Sequence, residues 1–170
     1  MRASFFRAVS WFLLLRCLLP IILSGASSVP TPVRAADGDI AVVVHSKVPV
    51  DNLSLAELRK VLLGDRQFWS SNQRVTLLIR APVARERDVI LKRVYQMSEA
   101  QFRQYWIAKV FRAETVAGPK IVYSNKVAGD LVRALPGAIA FIDTTQAPKD
   151  LKVLKIDGRL PGEKGYALSN

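Results

Sequence analysis

Apolar positions along the chain change period several times. IAVVVHS (40–46), VTLLIR (75–80) and AIAFID (138–143) are short aliphatic, largely β-branched runs, the pattern of strands covered on both faces. Between them the period lengthens. In NLSLAELRKVLLGD, Ser54 serves as N-cap, Glu57 closes a capping box and Gly64 is the expected stop, with Leu55, Leu58 and Leu62 along one face. ERDVILKRVYQM (86–97) places Ile90, Val94 and Met97 at helical spacing. Ser98 and Gln101 form a second capping box, opening a helix whose Phe102, Tyr105, Trp106 and Val110 recur at i, i+3, i+4 and i+8. For the aromatics that spacing predicts core packing rather than a ligand platform. Ser124 caps NKVAGDLVRAL, with Val127, Leu131 and Leu135 on one side and Pro136-Gly137 ending it.

Three weaker segments complete the pattern. KIVYS (120–124) reads as a short extended piece, LKVLKID (151–157) as a loosely alternating strand through Leu151, Val153 and Ile156, and the Gly- and Pro-rich tail after it as irregular. Helices alternating with strands predict an α/β domain, a mixed sheet flanked by helices. No strand-turn-helix carries G-x-G-x-x-G or G-x-x-x-x-G-K-[ST], so nucleotide binding has no support.

Composition changes the picture at the N-terminus. The segment MRASFFRAVSWFLLLRCLLPIILSGASS begins with Arg2 and Arg7, runs apolar from Val9 to Leu23 and leaves through small residues, the layout of a secretory signal. Val33-Arg34-Ala35 fits a small-x-small cleavage rule and Ser24-Gly25-Ala26 is a second candidate. The alternative is a membrane anchor, which Arg16 disfavours by interrupting the apolar run. Cys17, preceded by Leu15-Arg16, is in a poor lipid-attachment context. The expected organisation is a signal over 1–35, a linker over 36–38 and one domain over 39–168. The only cysteine leaves with the signal, which suits a bacterial periplasm and removes disulfides and thiol chemistry.

Of the 25 Lys and Arg, four (Arg2, Arg7, Arg16, Arg34) precede Ala36, and none of the 14 acids does, so a chain cut after Ala35 carries a net charge of +7. Such a charge favours acidic partners, and export argues against nucleic acid among them. His45, the only histidine, adjoins Ser46, but adjacent strand residues point to opposite faces and make no nucleophile-base pair. Asp37/Asp39 and Glu86/Asp88 are isolated pairs, the second interleaved with Arg85 and Arg87, which accounts for it as local charge compensation. No catalytic residue, metal site or cofactor is expected, and an enzyme is disfavoured.

One turn does point to chemistry. TLLIRAPVARERDVILKRV (76–94) runs as a strand to Arg80, turns at a proline and starts a helix. A helix N-terminus beside an arginine is one way to hold an anion. The order of signatures resembles the phosphate-binding proteins of ABC importers, in AVVVHSKVPVDNLSLAELRKVLLGDRQFW, LLIRAPVARERDVILKRV, VAGDLVRALPGAIAFID and LKVLKIDGRLPGEKGYAL. The resemblance covers nearly all of 39–168 and implies a single lobe, the second, of a type 2 periplasmic-binding-protein-like fold. It places Arg80 at the family's arginine and Ala84, Arg85 and Glu86 at its Ser-Gly-Thr positions. The hydroxyl donors and the glycine are therefore replaced, and Glu86 adds negative charge where phosphate would bind.

The resemblance implies an exported, periplasmic, solute-binding-like protein with weak or partner-dependent anion binding at Arg80, Ala84, Arg85 and Glu86. The alternative is an interaction module or homo-oligomer that has lost its ligand. The expected partners are a small anion such as phosphate, and a protein or a second copy of the chain. Nucleic acid and, after signal cleavage, membrane are not expected.

Overall fold

The computed structural model describes residues 38–169. The expected signal segment, and residues 36 and 37 of the expected linker, lie outside them. In chain order the elements are β1 (Ile40–Val44), β2 (Asn52–Leu53), α1 (Leu55–Leu62), β3 (Thr76–Arg80), α2 (Arg85–Ile90) running into a π-helical turn (Leu91–Tyr95), and α3 (Glu99–Phe111). There follow β4 (Lys120–Val122), α4 (Asn125–Ala134), β5 (Ala138–Asp143), a 3-10 turn (Thr144–Gln146), β6 (Lys152–Val153) and β7 (Lys155–Ile156). A mixed five-stranded sheet has the order β4-β3-β5-β1-β6, and β2 pairs separately with β7. β1 runs antiparallel to β5, with Val42 opposite Phe141, while β3 runs parallel to both β4 and β5. This is the expected α/β layout.

The side-chain alternation of a strand sends neighbours to opposite faces, and here both faces are covered. Val42, Val44, Ile79, Ile139 and Phe141 pack with Leu58, Leu62, Ile90, Val94, Tyr95, Phe102 and Trp106. Ala41, Val43, Leu78, Ala138, Ala140 and Ile142 pack with Ala128 and Val132 of α4. Two covered faces explain why β1 and β5 read as unbroken apolar runs. The caps form as expected. Ser54 with Glu57 and Ser98 with Gln101 close reciprocal capping boxes, and Ser124 accepts from the Val127 N–H. Gly64, at φ 71, follows the C-cap Leu63. Gly137, at φ 78, lies so close to the Arg74 carbonyl that a Cβ there would come within 2.2 Å of its oxygen.

Three expectations need correction. α4 does not bury Val127, Leu131 and Leu135 as its main face. It buries Ala128, Gly129 and Val132, and Val127 is 44% exposed. The sheet face beneath mixes alanines (Ala41, Ala138, Ala140) with larger aliphatic residues, and Gly129 packs against Leu151 and Pro148, so close approach there favours the small residues of the helix. On α3, Phe102 and Trp106 are in the core but Val110 is exposed. The helix leans on the domain through its middle and Lys109 instead. The 151–157 segment is two two-residue strands, β6 on β1 and β7 on β2. Changing sheets between them is what made its alternation loose.

Candidate functional site

Strands β3, β4 and β5 are parallel, so their carboxyl ends, Arg80, Val122 and Asp143, lie along one edge of the sheet. The chain turns there into α2 after β3 and into α4 after β4. In open α/β sheets this carboxyl edge is where ligands are held. The turn from Arg80 to α2 is tight. Ala84 N–H bonds to the Ala81 carbonyl at 3.3 Å, and Val83 adopts φ 65 while 98% exposed. A β-branched residue in that conformation is strained.

The strained turn folds α2 back over Arg80. Arg80 Nη1 donates to the Val122 carbonyl at 3.3 Å, and its Nε is 3.4 Å from Glu86 Oε2. Glu86 is buried, and its Oε1 accepts from Asn125 Nδ2 at 2.6 Å. Asn125, the first residue of α4, also donates to Gln146 Oε1 at 3.0 Å, and its buried Oδ1 has no hydrogen-bond partner among the described residues. Arg80, Glu86 and Asn125 thus form a nearly dry cluster at the sheet edge. A buried carboxylate is tolerable only when paired and hydrogen-bonded, and Arg80 and Asn125 supply both.

A second layer holds the turn in place. Arg87 grips both oxygens of Glu99, at 2.8 and 2.9 Å, donates to the Arg80 carbonyl at 2.8 Å and stacks 4.8 Å from the centre of the Phe102 ring. Fork-to-fork pairing, with an aromatic ring beneath, holds the guanidinium in place. Arg85 is bonded to the Asp143 carboxylate and the Gly38 carbonyl. Burial acts against the charged Asp143, but the Thr145 hydroxyl and amide and the Arg85 guanidinium outweigh it, leaving the carboxyl below the usual range.

Of the four residues singled out by sequence, the structure brings Arg80 and Glu86 together. Ala84 is the N-cap of α2 with no side-chain cap bond, so it presents only backbone. Arg85 is on the same edge but engaged by Asp143. The reading of Glu86 as compensated by Arg85 and Arg87 is corrected. Each arginine has a partner elsewhere, Asp143 and Glu99, and Glu86 pairs with Arg80. Neighbours i and i+1 on a helix do not face each other. Asn125 was missed, although a polar amide directly after the Ser124 cap was the available signal. His45 is buried at the end of β1 and its Nδ1 accepts from the Lys47 N–H at 3.1 Å. Among the described residues no three metal-ligating side chains converge, and no helix is long and apolar enough to cross a membrane.

No family model matches the chain, and no curated protein matches it. Solved structures do. PstS from Borrelia burgdorferi superposes with a TM-score of 0.62 at 16% identity, over 78% of this chain and 55% of its own. An ABC-type phosphate transport receptor from Vibrio cholerae superposes with a TM-score of 0.58 at 19% identity, over 73% of this chain and 48% of its own. The chain spans about half the length of the solved structures it matches. What is shared at these identities is the fold.

Proposed function

We propose, from that shared fold, that this chain is an exported periplasmic protein related to the solute receptors of phosphate importers, and not an enzyme. In this reading its anion binding at the Arg80 edge is weak or depends on a partner. The fold and the place of Arg80 at the carboxyl end of β3 support the receptor kinship. The observation that carries the weak binding is the Glu86 carboxylate, 3.4 Å from Arg80 Nε and 2.6 Å from Asn125 Nδ2. It accepts from Asn125 and lies within ion-pair distance of Arg80, whose buried Nε has no hydrogen-bond partner among the described residues, so an incoming phosphate meets a like charge beside that arginine. A partner bringing further donors to this open edge, beside the exposed Val83 and Tyr123, would supply what the chain's own turn lacks.

Titration of the purified protein with inorganic phosphate by calorimetry at pH 7 tests this. The expected dissociation constant is about 1 mM or weaker, on the order of 4 kcal/mol of binding free energy. A micromolar constant for the isolated chain would refute the reading.

A further inference from the structure

The opposite end of the sheet carries a different feature. A hollow of about 260 Å³ opens between the C-terminal end of α1, the start of β3 and the 115–119 loop. Arg66, Arg74 and Lys120 line it, and among the described residues no carboxylate does. Its apolar walls include Val61, Leu77 and Trp106. Thr76, also part of the lining, begins the strand that Arg80 ends, so the hollow lies about 13 Å from the Arg80 edge along β3.

Several cations elsewhere in the domain are paired. Arg87, Lys109, Arg133 and Lys152 each have a carboxylate partner within salt-bridge distance. Arg74 and Lys120 have none among the described residues, while Arg66 donates to the Phe68 carbonyl at 3.3 Å, lies over the Trp69 ring and acts electrostatically on the exposed Glu57 carboxylate. Three like charges around one apolar-walled concavity, with no carboxylate in its lining among the described residues, raise a local positive potential, and low-dielectric walls focus such a field. An anion relieves the repulsion, and an apolar body attached to it covers Val61, Leu77 and Trp106. Concave apolar pockets with a few convergent polar groups are the usual form of small-molecule sites.

We propose that this hollow is a binding site for a small amphipathic organic anion, an acidic head group on an aromatic or aliphatic body. It is separate from the Arg80 edge and does not rest on the receptor reading. Inorganic phosphate satisfies only the charge and is expected to bind it much more weakly.

The test is calorimetric titration of the purified protein with 1-naphthalenesulfonate and, separately, with inorganic phosphate. Saturable one-to-one binding of the sulfonate is expected. Arg74→Gln and Lys120→Gln, both at exposed positions, are each expected to weaken it about five- to tenfold, which is the loss of one charge contact. Lys126→Gln on α4 and Arg80→Ala are expected to leave it unchanged, and unfolding temperatures confirm that each variant is folded. Absence of saturable binding, or indifference to both Arg74→Gln and Lys120→Gln, would overturn the proposal. So would loss of binding in Arg80→Ala alone, which would place the ligand at the other edge. Equal affinity for inorganic phosphate would overturn the amphipathic class.

Discussion

Replacing Glu86 by Gln removes one charge and little else. The glutamine carbonyl can still accept from Asn125, and the volume is nearly the same. What changes is Arg80, only 13% exposed at its side chain, which loses the carboxylate 3.4 Å from its Nε. With an effective dielectric of about 20 the gross attraction at that distance is about 5 kcal/mol. Removing one member of a buried pair costs about 3–5 kcal/mol because the other is left uncompensated. Retention of the Asn125 bond and the residual exposure of Arg80 put Glu86→Gln at or just below the lower limit of that range, about 2–3 kcal/mol. For a domain of this size that is a fall of about 6–10 °C in unfolding temperature. The uncompensated Arg80 then becomes a true anion donor. If phosphate reaches it with a dissociation constant of about 0.1 mM, then 10 mM phosphate restores about 2.7 kcal/mol by mass action, nearly the whole loss. The assay is thermal unfolding of both proteins with and without phosphate, at ionic strength matched with chloride. The wild type should gain little and the variant most of its deficit. Equal stability of the two proteins, or equal phosphate shifts, would refute the reasoning that Glu86 acts as the internal occupant of the Arg80 donors.

Two further outcomes follow from the fold. Gly137→Ala should cost about 3 kcal/mol or more, because φ is 78 and the new Cβ would meet the Arg74 carbonyl oxygen at 2.2 Å; urea unfolding should show a lower midpoint at unchanged slope. Asp143 has its carboxyl held below the ordinary range in the folded state, so its contribution is complete above the unfolded value near 3.9 and is lost as pH falls through the lowered folded value. Asp143→Asn should therefore be less stable than wild type at pH 7, with the gap closing below about pH 4; a gap independent of pH would mean that shape, not charge, is what Asp143 supplies.

The fold was legible where local chemistry and tertiary packing agree. Ser54, Ser98 and Ser124 cap helices in the structure as their sequence contexts imply, because an N-cap is decided within four residues. The fully buried β1 and β5 were legible because two-sided burial leaves no polar alternation to misread. The buried face of α4 was not. Hydrophobicity ranks Val127 and Leu131 above Ala128 and Gly129, whereas packing against residues far along the chain, Leu151 and Pro148 beside Gly129 and the β1 and β5 side chains beside Ala128, favours the small ones. The switch of the 151–157 segment from one sheet to another is likewise a property of its partners β1 and β2 rather than of its own pattern.

The site divides along the same line. Arg80 at a strand end and the charge of Glu86 were readable, but the contact between them depends on the strained turn at Val83, and its third member, Asn125, is 39 residues away from Glu86. Arithmetic of adjacent charges paired Glu86 with Arg85 and Arg87; the fold gives those arginines to Asp143 and Glu99 and so leaves Glu86 to Arg80. This partition has a consequence for stability and binding together. A binding site must keep its charge uncompensated until a ligand arrives, and the unliganded protein bears that cost. In the proposed reading, a carboxylate from the chain itself beside Arg80 and Asn125 lowers that cost. In that reading the same carboxylate is the barrier that an anion must overcome. Stability without ligand and affinity for ligand are therefore opposed at a single residue, Glu86, and a substitution there should move them in opposite directions.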